Sequence, residues 1–481
     1  MASSVETLIR SVVTKGVLKV AAFNRNRMPS PKTPHPFLTG IHTPMDAEKT
    51  ITDLRVTGTI PAELDGRYIR IGPNPVTPPN PASYHWFMGD GMVHGVKLKA
   101  GQALWYRNRW LKSHAVTSAL GLPPAPGPRN GGSDNVNTNV LGHAGATWGL
   151  VEAGAFPVRL TEELDTIAHD PFGGTLTGSF SAHPHLDPDS GEMHAICYTG
   201  TDQSFVRHVV VDKTGKVCRD EPIRVQDGPS IHDCMITKNY VLILDLPVTF
   251  SIAKLLAGFA FPYEWNPAHK ARVGLLPRQG TNADVIWCPV TPCYIFHPAN
   301  AYETPDGRVI MDAAVHETMF AESTQGPDSH RTPFERWTID PATRAVTREV
   351  LDPDNQEFPR PNETRLGKPY RYAYTLALPS ERDPAFASSS RLFKHDLEAQ
   401  TRQVHDFGPG RVPGEFVFVP RADASAEDAG WLMGYVVNTD QETTDLVILN
   451  AQDFAGPPQA VIHIPHRIPP GFHGNWVPAT A

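Results

Sequence analysis

The chain is poor in cysteine, with five in 481 residues: Cys197, Cys218, Cys234, Cys288 and Cys293. None forms a Cys-x-x-Cys pair. An odd number fits a reducing compartment better than a disulfide framework, and buried free thiols are expected. Long apolar runs are missing too. No stretch of about eighteen uncharged apolar residues occurs, which argues against a membrane-spanning helix. Basic charge is in deficit, with 43 Lys and Arg against 51 Asp and Glu and a net charge of −8. Nucleic acid is therefore disfavoured as a partner, because phosphate binding wants a basic face. Also absent are the Gly-x-Ser-x-Gly elbow, the phosphate-cradling Gly-rich loops and the His-Glu-x-x-His helix. Hydrolase, nucleotide and protease readings lose their usual support.

What the chain has instead is turn chemistry. Its 47 prolines and 38 glycines are spread throughout, which predicts many turns and few long helices. An apolar content of 40% with 20% charged residues allows a sizeable core. Beyond the N-terminal segment one unit recurs: an apolar strand, an acidic residue, a turn, and another strand. Val209 to Val217, Trp337 to Val346 and His185 to Met193 are instances, and Leu392 to Asp396 and Leu446 to Gln452 look like further copies. Each reads as an antiparallel hairpin. Repeated hairpins without alternating helices exclude a doubly wound α/β fold. They favour an all-β propeller, with a pair of packed sheets as the competing architecture.

Two segments read as helical. Val5, Leu8, Ile9, Val12, Val13, Val17, Val20 and Ala21 recur at helical spacing, with Arg10, Lys15 and Lys19 between them and Arg25 and Arg27 following. Residues 1–30 are thus a basic amphipathic arm and residues 31–481 a single catalytic domain. The arm either packs on the domain or contacts a membrane surface. Its lysines make a poor secretory signal, so a cytoplasmic protein, peripheral to the membrane if the arm binds lipid, is expected. Ser251 to Phe261 predicts a helix ending at Pro262, inserted on one face as a cover or as an apolar mouth.

Histidine is plentiful, at 21 residues, and most need no role. His35, His42, His269 and His330 lie in polar, loop-like sequence. Four others stand in distinctive settings: His183 in Ser181-Ala182-His183-Pro184, His232 in Ile231-His232-Asp233, His297 in Phe296-His297-Pro298, and His473 in Phe472-His473-Gly474-Asn475. Neutral imidazoles from distant segments suit a borderline metal such as iron(II), zinc or copper. The inner strands of a propeller would bring them to one axis.

Several ordered blocks resemble the carotenoid cleavage oxygenase family, which includes apocarotenoid oxygenases, lignostilbene dioxygenases and a retinoid isomerohydrolase. They are Ile71-Gly72-Pro73-Asn74-Pro75, Gly89-Asp90-Gly91-Met92-Val93-His94-Gly95, Asn137-Thr138-Asn139, Ala182-His183-Pro184, Glu357-Phe358-Pro359-Arg360, Glu415 with Val417-Phe418-Val419-Pro420, and Gly471-Phe472-His473-Gly474. Tyr84-His85-Trp86-Phe87 and Trp105 to Trp110 resemble the bacterial branch most. The resemblance implies a seven-bladed propeller with a loop and helix cap over its top face carrying a substrate tunnel. It implies His183, His232, His297 and His473 as iron(II) ligands and Glu152, Glu357 and Glu415 as their outer carboxylates. One histidine is left to find another partner. It also implies that the Thr138 methyl crowds one open position on the metal, although a purely structural threonine is an equal reading.

The implied reaction is dioxygen-dependent cleavage of a conjugated double bond to two carbonyls, with no organic cofactor. An apolar conjugated alkene is the implied partner, and the oligomeric state stays open. Two departures stand out. Ile71 replaces an asparagine usual in relatives, expected to alter a turn and not the metal. Val151 stands where lignostilbene-type relatives carry a lysine that helps ionise a phenol. A valine suits a carotenoid or apocarotenoid better, while an aryl alkene such as isoeugenol, 4-vinylguaiacol or a stilbene remains the alternative. Retinyl ester isomerohydrolysis and a non-catalytic binding propeller are the other competing readings.

Overall fold

The hairpins fold into seven antiparallel blades arranged as a β-propeller. The structure is a computed structural model that describes residues 16–29, 31–200, 202–380, 389–422 and 424–479. In the first blade the strands run, from rim to axis, Thr50–Ile51, Gln102–Trp110, Gly91–Lys99, Gly66–Pro73 and Gly474–Pro478. The next five blades each take four strands in chain order, with innermost strands Asn139–His143, His185–Leu186, Cys234–Ile236, Pro298–Glu303 and Gln356–Pro361. In the seventh, Arg55–Gly58 forms the rim, while Arg411–Pro413 and Val417–Pro420 both pair with Gly430–Asn438 at the axis. The ring is thus closed twice, by the C-terminal strand in the first blade and by Arg55–Gly58 in the last. Closure of this kind leaves only short, protected sheet edges.

Apolar side chains between blades form the core. Tyr68, Tyr106, Trp337, Phe393 and Tyr435 are among the largest side chains wholly withdrawn from solvent. Alternation sends every second residue of each half-buried strand inward. The rim strand Val217–Arg224 shows this plainly, with exposed and shielded positions alternating along it.

Most expected hairpins form as read, including those at Val209 to Val217, Trp337 to Val346 and His185 to Met193. Leu392 to Asp396 is one strand of a hairpin with Thr401–Asp406. Leu446 to Gln452 differs: the strand Thr443–Asn450 ends in a 3-10 turn at Ala451–Asp453 before Ala460–Ile464 pairs with it. The helix expected over Ser251 to Phe261 is shorter, spanning Ile252–Ala257. Ser251 caps its start by accepting the Lys254 N–H, and Gly258 stops it by turning left-handed at φ 103°. A glycine in that conformation ends a helix before Pro262 is reached. The flanking strands Val248–Phe250 and Tyr263–Trp265 pair with each other.

Residues 16–25 are helical, in keeping with the amphipathic pattern; Val5, Leu8, Ile9, Arg10, Val12, Val13 and Lys15 lie outside the described residues. This helix is tied to the Ile252–Ala257 segment. The Asn24 amide donates to the Leu256 carbonyl at 2.6 Å, and Arg25 Nε donates to the Gly258 carbonyl at 2.9 Å. Cys197, Cys234, Cys288 and Cys293 are buried free thiols as expected, whereas Cys218 is exposed. Three of the histidines that lie in polar, loop-like sequence are buried: His35, His42 and His269. His269 bridges Asp227 and Asp245 at 3.0 and 2.9 Å, so its polar neighbours are partners and not a sign of exposure.

Ile71 lies within the strand Gly66–Pro73, not in a turn, and is fully buried. Its N–H donates to the His473 carbonyl at 3.0 Å and its carbonyl accepts the Phe472 N–H at 2.9 Å. The departure therefore sits against the segment that presents a candidate ligand. Gly72 beside it is required by a close approach, since a Cβ there would lie 2.4 Å from the Gly471 Cα. We expect Gly72→Ala to destabilise the fold by about 1–3 kcal/mol and to weaken metal uptake by displacing His473. Denaturant melts and a cobalt titration check this, and an unchanged titration would show that the contact does not position His473.

Candidate metal centre and cavity

Each of the seven innermost strands delivers a site residue to the axis at or just before its start. His183, His232, His297 and His473 immediately precede or lie two before the strands beginning at His185, Cys234, Pro298 and Gly474, and Thr138 precedes Asn139. Glu357 lies on Gln356–Pro361, and Glu415 lies between Arg411–Pro413 and Val417–Pro420. Glu152 is the exception, following the second strand of its blade, Ala146–Leu150.

The four imidazoles meet. All are buried, and each offers a ring nitrogen within 4.8 Å of the other three. Ring centroids of His183 stand 4.4, 5.1 and 4.4 Å from those of His232, His297 and His473. Three of the rings are held from behind by carboxylates. His232 Nδ1 donates to Glu152, His297 Nδ1 to Glu357 at 2.6 Å, and His473 Nδ1 to Glu415 at 3.2 Å. An acceptor at Nδ1 fixes the proton there and leaves Nε2 with its lone pair. His232 Nε2 and His297 Nε2 then face each other at 3.2 Å with no proton between them. Nitrogens about 2.1 Å from one ion and at right angles lie ~3.0 Å apart. His183 Nε2 is buried without any hydrogen-bond partner. Opposed lone pairs and an orphaned ring nitrogen are what a cation would resolve, so the residues present fit a metal ion.

The carboxylates are themselves engaged. Tyr198 donates to Glu152, and so does Ser230 at 3.2 Å. His316 Nε2 reaches Glu357 at 2.8 Å, and the Phe358 N–H donates to the same residue. The Gly474 N–H donates to Glu415 at 3.0 Å, and Arg360 donates at 3.3 Å. Burial alone would raise all three carboxyl pKa values. For Glu152, His232 outweighs burial and keeps it below the ordinary value; for Glu357, His297 and His316 do so. Against burial, Arg360 and His473 bring Glu415 down to about 2. On the imidazole side burial pushes His183 well below the usual range, reinforced by the other rings. His297 moves the other way, because Glu357 overcomes burial and raises it.

Glu152, Glu357, Glu415 and the four histidines are thus brought together as expected. His183 is the imidazole of the four without a glutamate. Its Nδ1 faces Asp233 Oδ2 at 3.8 Å, and His185 holds the other oxygen of Asp233 at 2.6 Å. Asp233 adjoins His232 in sequence and, just before the strand Cys234–Ile236, faces the neighbouring His183. His316, Tyr198 and Ser230 carry no local signature and are found only in three dimensions.

Beside the rings lies a cavity of about 310 Å³. Phe87, Phe296, Phe358 and Phe472 line it near the histidines, and Phe261 and Tyr263 line it below the Ile252–Ala257 segment. Thr138 and Val151 also border it, and among the described residues no lysine or arginine does. Phe358 is aimed by a bulge: the register shifts between Glu357 and Arg360, and Phe358 takes φ 51°. Bulges beside active sites often re-aim a side chain in this way. Its ring stacks on His297, centroids 5.1 Å apart.

A sequence profile of the retinal pigment epithelial membrane protein family matches residues 42–478. A carotenoid cleavage oxygenase of Mycobacterium tuberculosis is 42% identical, over 93% of this chain and 98% of its own length. Carotenoid 9,10(9′,10′)-cleavage dioxygenase 1 of Arabidopsis thaliana is 29% identical, over 92% of this chain and 89% of its own. Among solved structures, cobalt-substituted Synechocystis apocarotenoid oxygenase aligns with a TM-score of 0.81 and 28% identity, covering 93% of this chain and 99% of that one. The lignostilbene dioxygenase of Pseudomonas brassicacearum aligns with a TM-score of 0.82 and 26% identity, covering 94% and 100%.

Two substitutions test the centre. His232→Ala is expected to lose bound metal and activity while the circular-dichroism melt stays cooperative; full metal content would remove His232 from the ligand set. Glu357→Gln is expected to weaken metal retention by roughly 10- to 100-fold, read by competition with a chelator, and unchanged affinity would refute its role behind His297.

Proposed function

We propose that this chain, which belongs to the retinal pigment epithelial membrane protein family and its carotenoid cleavage oxygenases, is an iron(II)-dependent enzyme that cleaves a carotenoid or apocarotenoid. It is an alkene-cleaving dioxygenase; the proposal adds the metal and the substrate. The observation that carries it is a four-imidazole cluster opening onto an aromatic cavity that no lysine or arginine among the described residues borders.

His183, His232, His297 and His473 would hold the iron(II), which when bound would supply dioxygen binding and activation without an organic cofactor. The balance is simple: one C=C bond and one O=O bond break, and two C=O bonds form. No proton is consumed, so the protein's work is placement. Glu152, Glu357 and Glu415 keep the Nδ1 protons of their histidines in place. Phe87, Phe296, Phe358 and Phe472 hold a flat polyene by apolar contact and exclude water around it. The Thr138 hydroxyl is committed to Asn137 at 2.8 Å. The reading gives its methyl the task of crowding one position beside the ion. Val151 on the cavity wall cannot ionise a phenol, which supports a hydrocarbon polyene.

The cavity's 310 Å³ is at the low end for small-molecule sites. That size and the Tyr198 and Tyr263 side chains on the wall favour a second reading, an aryl alkene cleaved to a vanillin-type aldehyde. The hairpin from Val248–Phe250 to Tyr263–Trp265 serves as the cap in either case, since Phe250, Phe261 and Tyr263 line the cavity. Loading from a membrane surface is part of the proposal. Leu18, Val20 and Phe23 on the N-terminal helix and Ile252 on the adjoining helix are 52, 47, 54 and 55% exposed. Five free cysteines fit a cytoplasmic protein that visits that surface.

The test offers an apocarotenal and isoeugenol to iron-loaded protein under labelled dioxygen, with products identified by mass. Polyene cleavage with label in both carbonyl fragments is expected. Vanillin without polyene cleavage would reverse the two substrates. Unlabelled product would mean isomerohydrolysis, and no dioxygen uptake across a broad alkene panel would leave a binding module.

A further inference from the structure

Arg360 is a cation beside the metal centre that the reaction does not use. It lies on the inner strand Gln356–Pro361, and its side chain is only 16% exposed. Nη1 stands 3.3 Å from Glu415 Oε1, the oxygen that also accepts from His473 Nδ1 at 3.2 Å. Nη2 donates to Asn475 Oδ1 at 2.7 Å, and Asn475 in turn donates to Asn139 Oδ1 and the Val140 carbonyl, both at 3.0 Å. Two further carboxylates act on Arg360: Glu363, 2.6 Å from Nη2 but 51% exposed and so largely screened by water, and the buried Asp233.

The three outer glutamates are therefore not alike. Glu152 is held by Tyr198 and Ser230, and Glu357 by His316 and a backbone N–H. Glu415 is the one that an arginine touches. Asp233 is engaged by His185. A divalent ion with the three glutamates and Asp233 carries two surplus negative charges, and Arg360 cancels one of them. Building on the metal centre assigned above, we propose that Arg360 is its charge-balancing residue: by sharing Glu415 it weakens His473 as a donor and limits how tightly the ion is held. Arg360 touches neither ion nor cavity, so it is a positioning residue.

The sign separates this role from a merely structural one. Removing a buried positive charge near the ion strengthens its binding, whereas loosening the strand weakens it. In cobalt(II) titrations of metal-free protein, Arg360→Gln is expected to bind about tenfold more tightly than the parent, and Arg360→Lys within about twofold of it. Glu363→Gln, a change at the surface, leaves Arg360 to Glu415 alone and is expected to weaken cobalt binding about twofold. This last variant decides the matter if Arg360→Gln does not fold. Cobalt binding unchanged or weaker in folded Arg360→Gln, or unchanged in Glu363→Gln, would overturn the proposal. In iron-loaded Arg360→Gln the ferric-to-ferrous ratio at fixed potential should rise about tenfold, equivalent to about 59 mV. A protein that takes up no iron would sink the iron reading, while the cobalt titrations would still decide Arg360.

Discussion

The hydrogen bond from a histidine Nδ1 to a buried glutamate is the interaction on which the rest depends. It occurs at His232, His297 and His473. Each bond does two things at once. It orients a ring so that Nε2 points at a common centre, and it places a negative charge where a buried cation must be offset. Neither partner is stable there alone, because an unpaired buried charge is expensive. The pairs therefore make sense only as a set built around an ion.

A propeller is well suited to holding such a set. Its innermost strands touch their neighbours around the axis, so residues far apart in sequence become adjacent. Positions at or just before the start of each inner strand become a ring of side chains. The two-fold closure of the ring matters for the site itself. His473 precedes the C-terminal strand Gly474–Pro478, which pairs with Gly66–Pro73 early in the chain. The fold must be complete before His473 is in place beside the other three imidazoles. Above the rings, the same arrangement leaves an aromatic cavity bordered by the Val248 to Trp265 hairpin, to which the N-terminal helix is tied.

Much of this was legible in the sequence, and for identifiable reasons. Strand–turn–strand units with an acidic residue before the turn announced the blades, because that turn chemistry is local. The four histidines that meet were legible from their flanking blocks and the family those blocks resemble, not from spacing, since no two lie on one element. Burial and the ends of elements were not legible. His35, His42 and His269 look like loop residues, yet buried positions opened to them through partners such as Asp227 and Asp245 that only the fold supplies. Ile71 looked like part of a turn because Gly72 and Pro73 follow it, but strand pairing overrode the local signal. Gly258, lying inside an apolar run, ended a helix that the run alone would have extended. The partners behind the glutamates, His316, Tyr198 and Ser230, come from other blades or strands and leave no trace in local pattern.

X-ray absorption at the iron edge of the iron-loaded protein examines the central claim most directly. Four imidazole nitrogens at about 2.1 Å, with any further light-atom scatterer coming from solvent, is the predicted environment. A spectrum with fewer imidazoles, or with a protein carboxylate or sulfur bound to the ion, would contradict it.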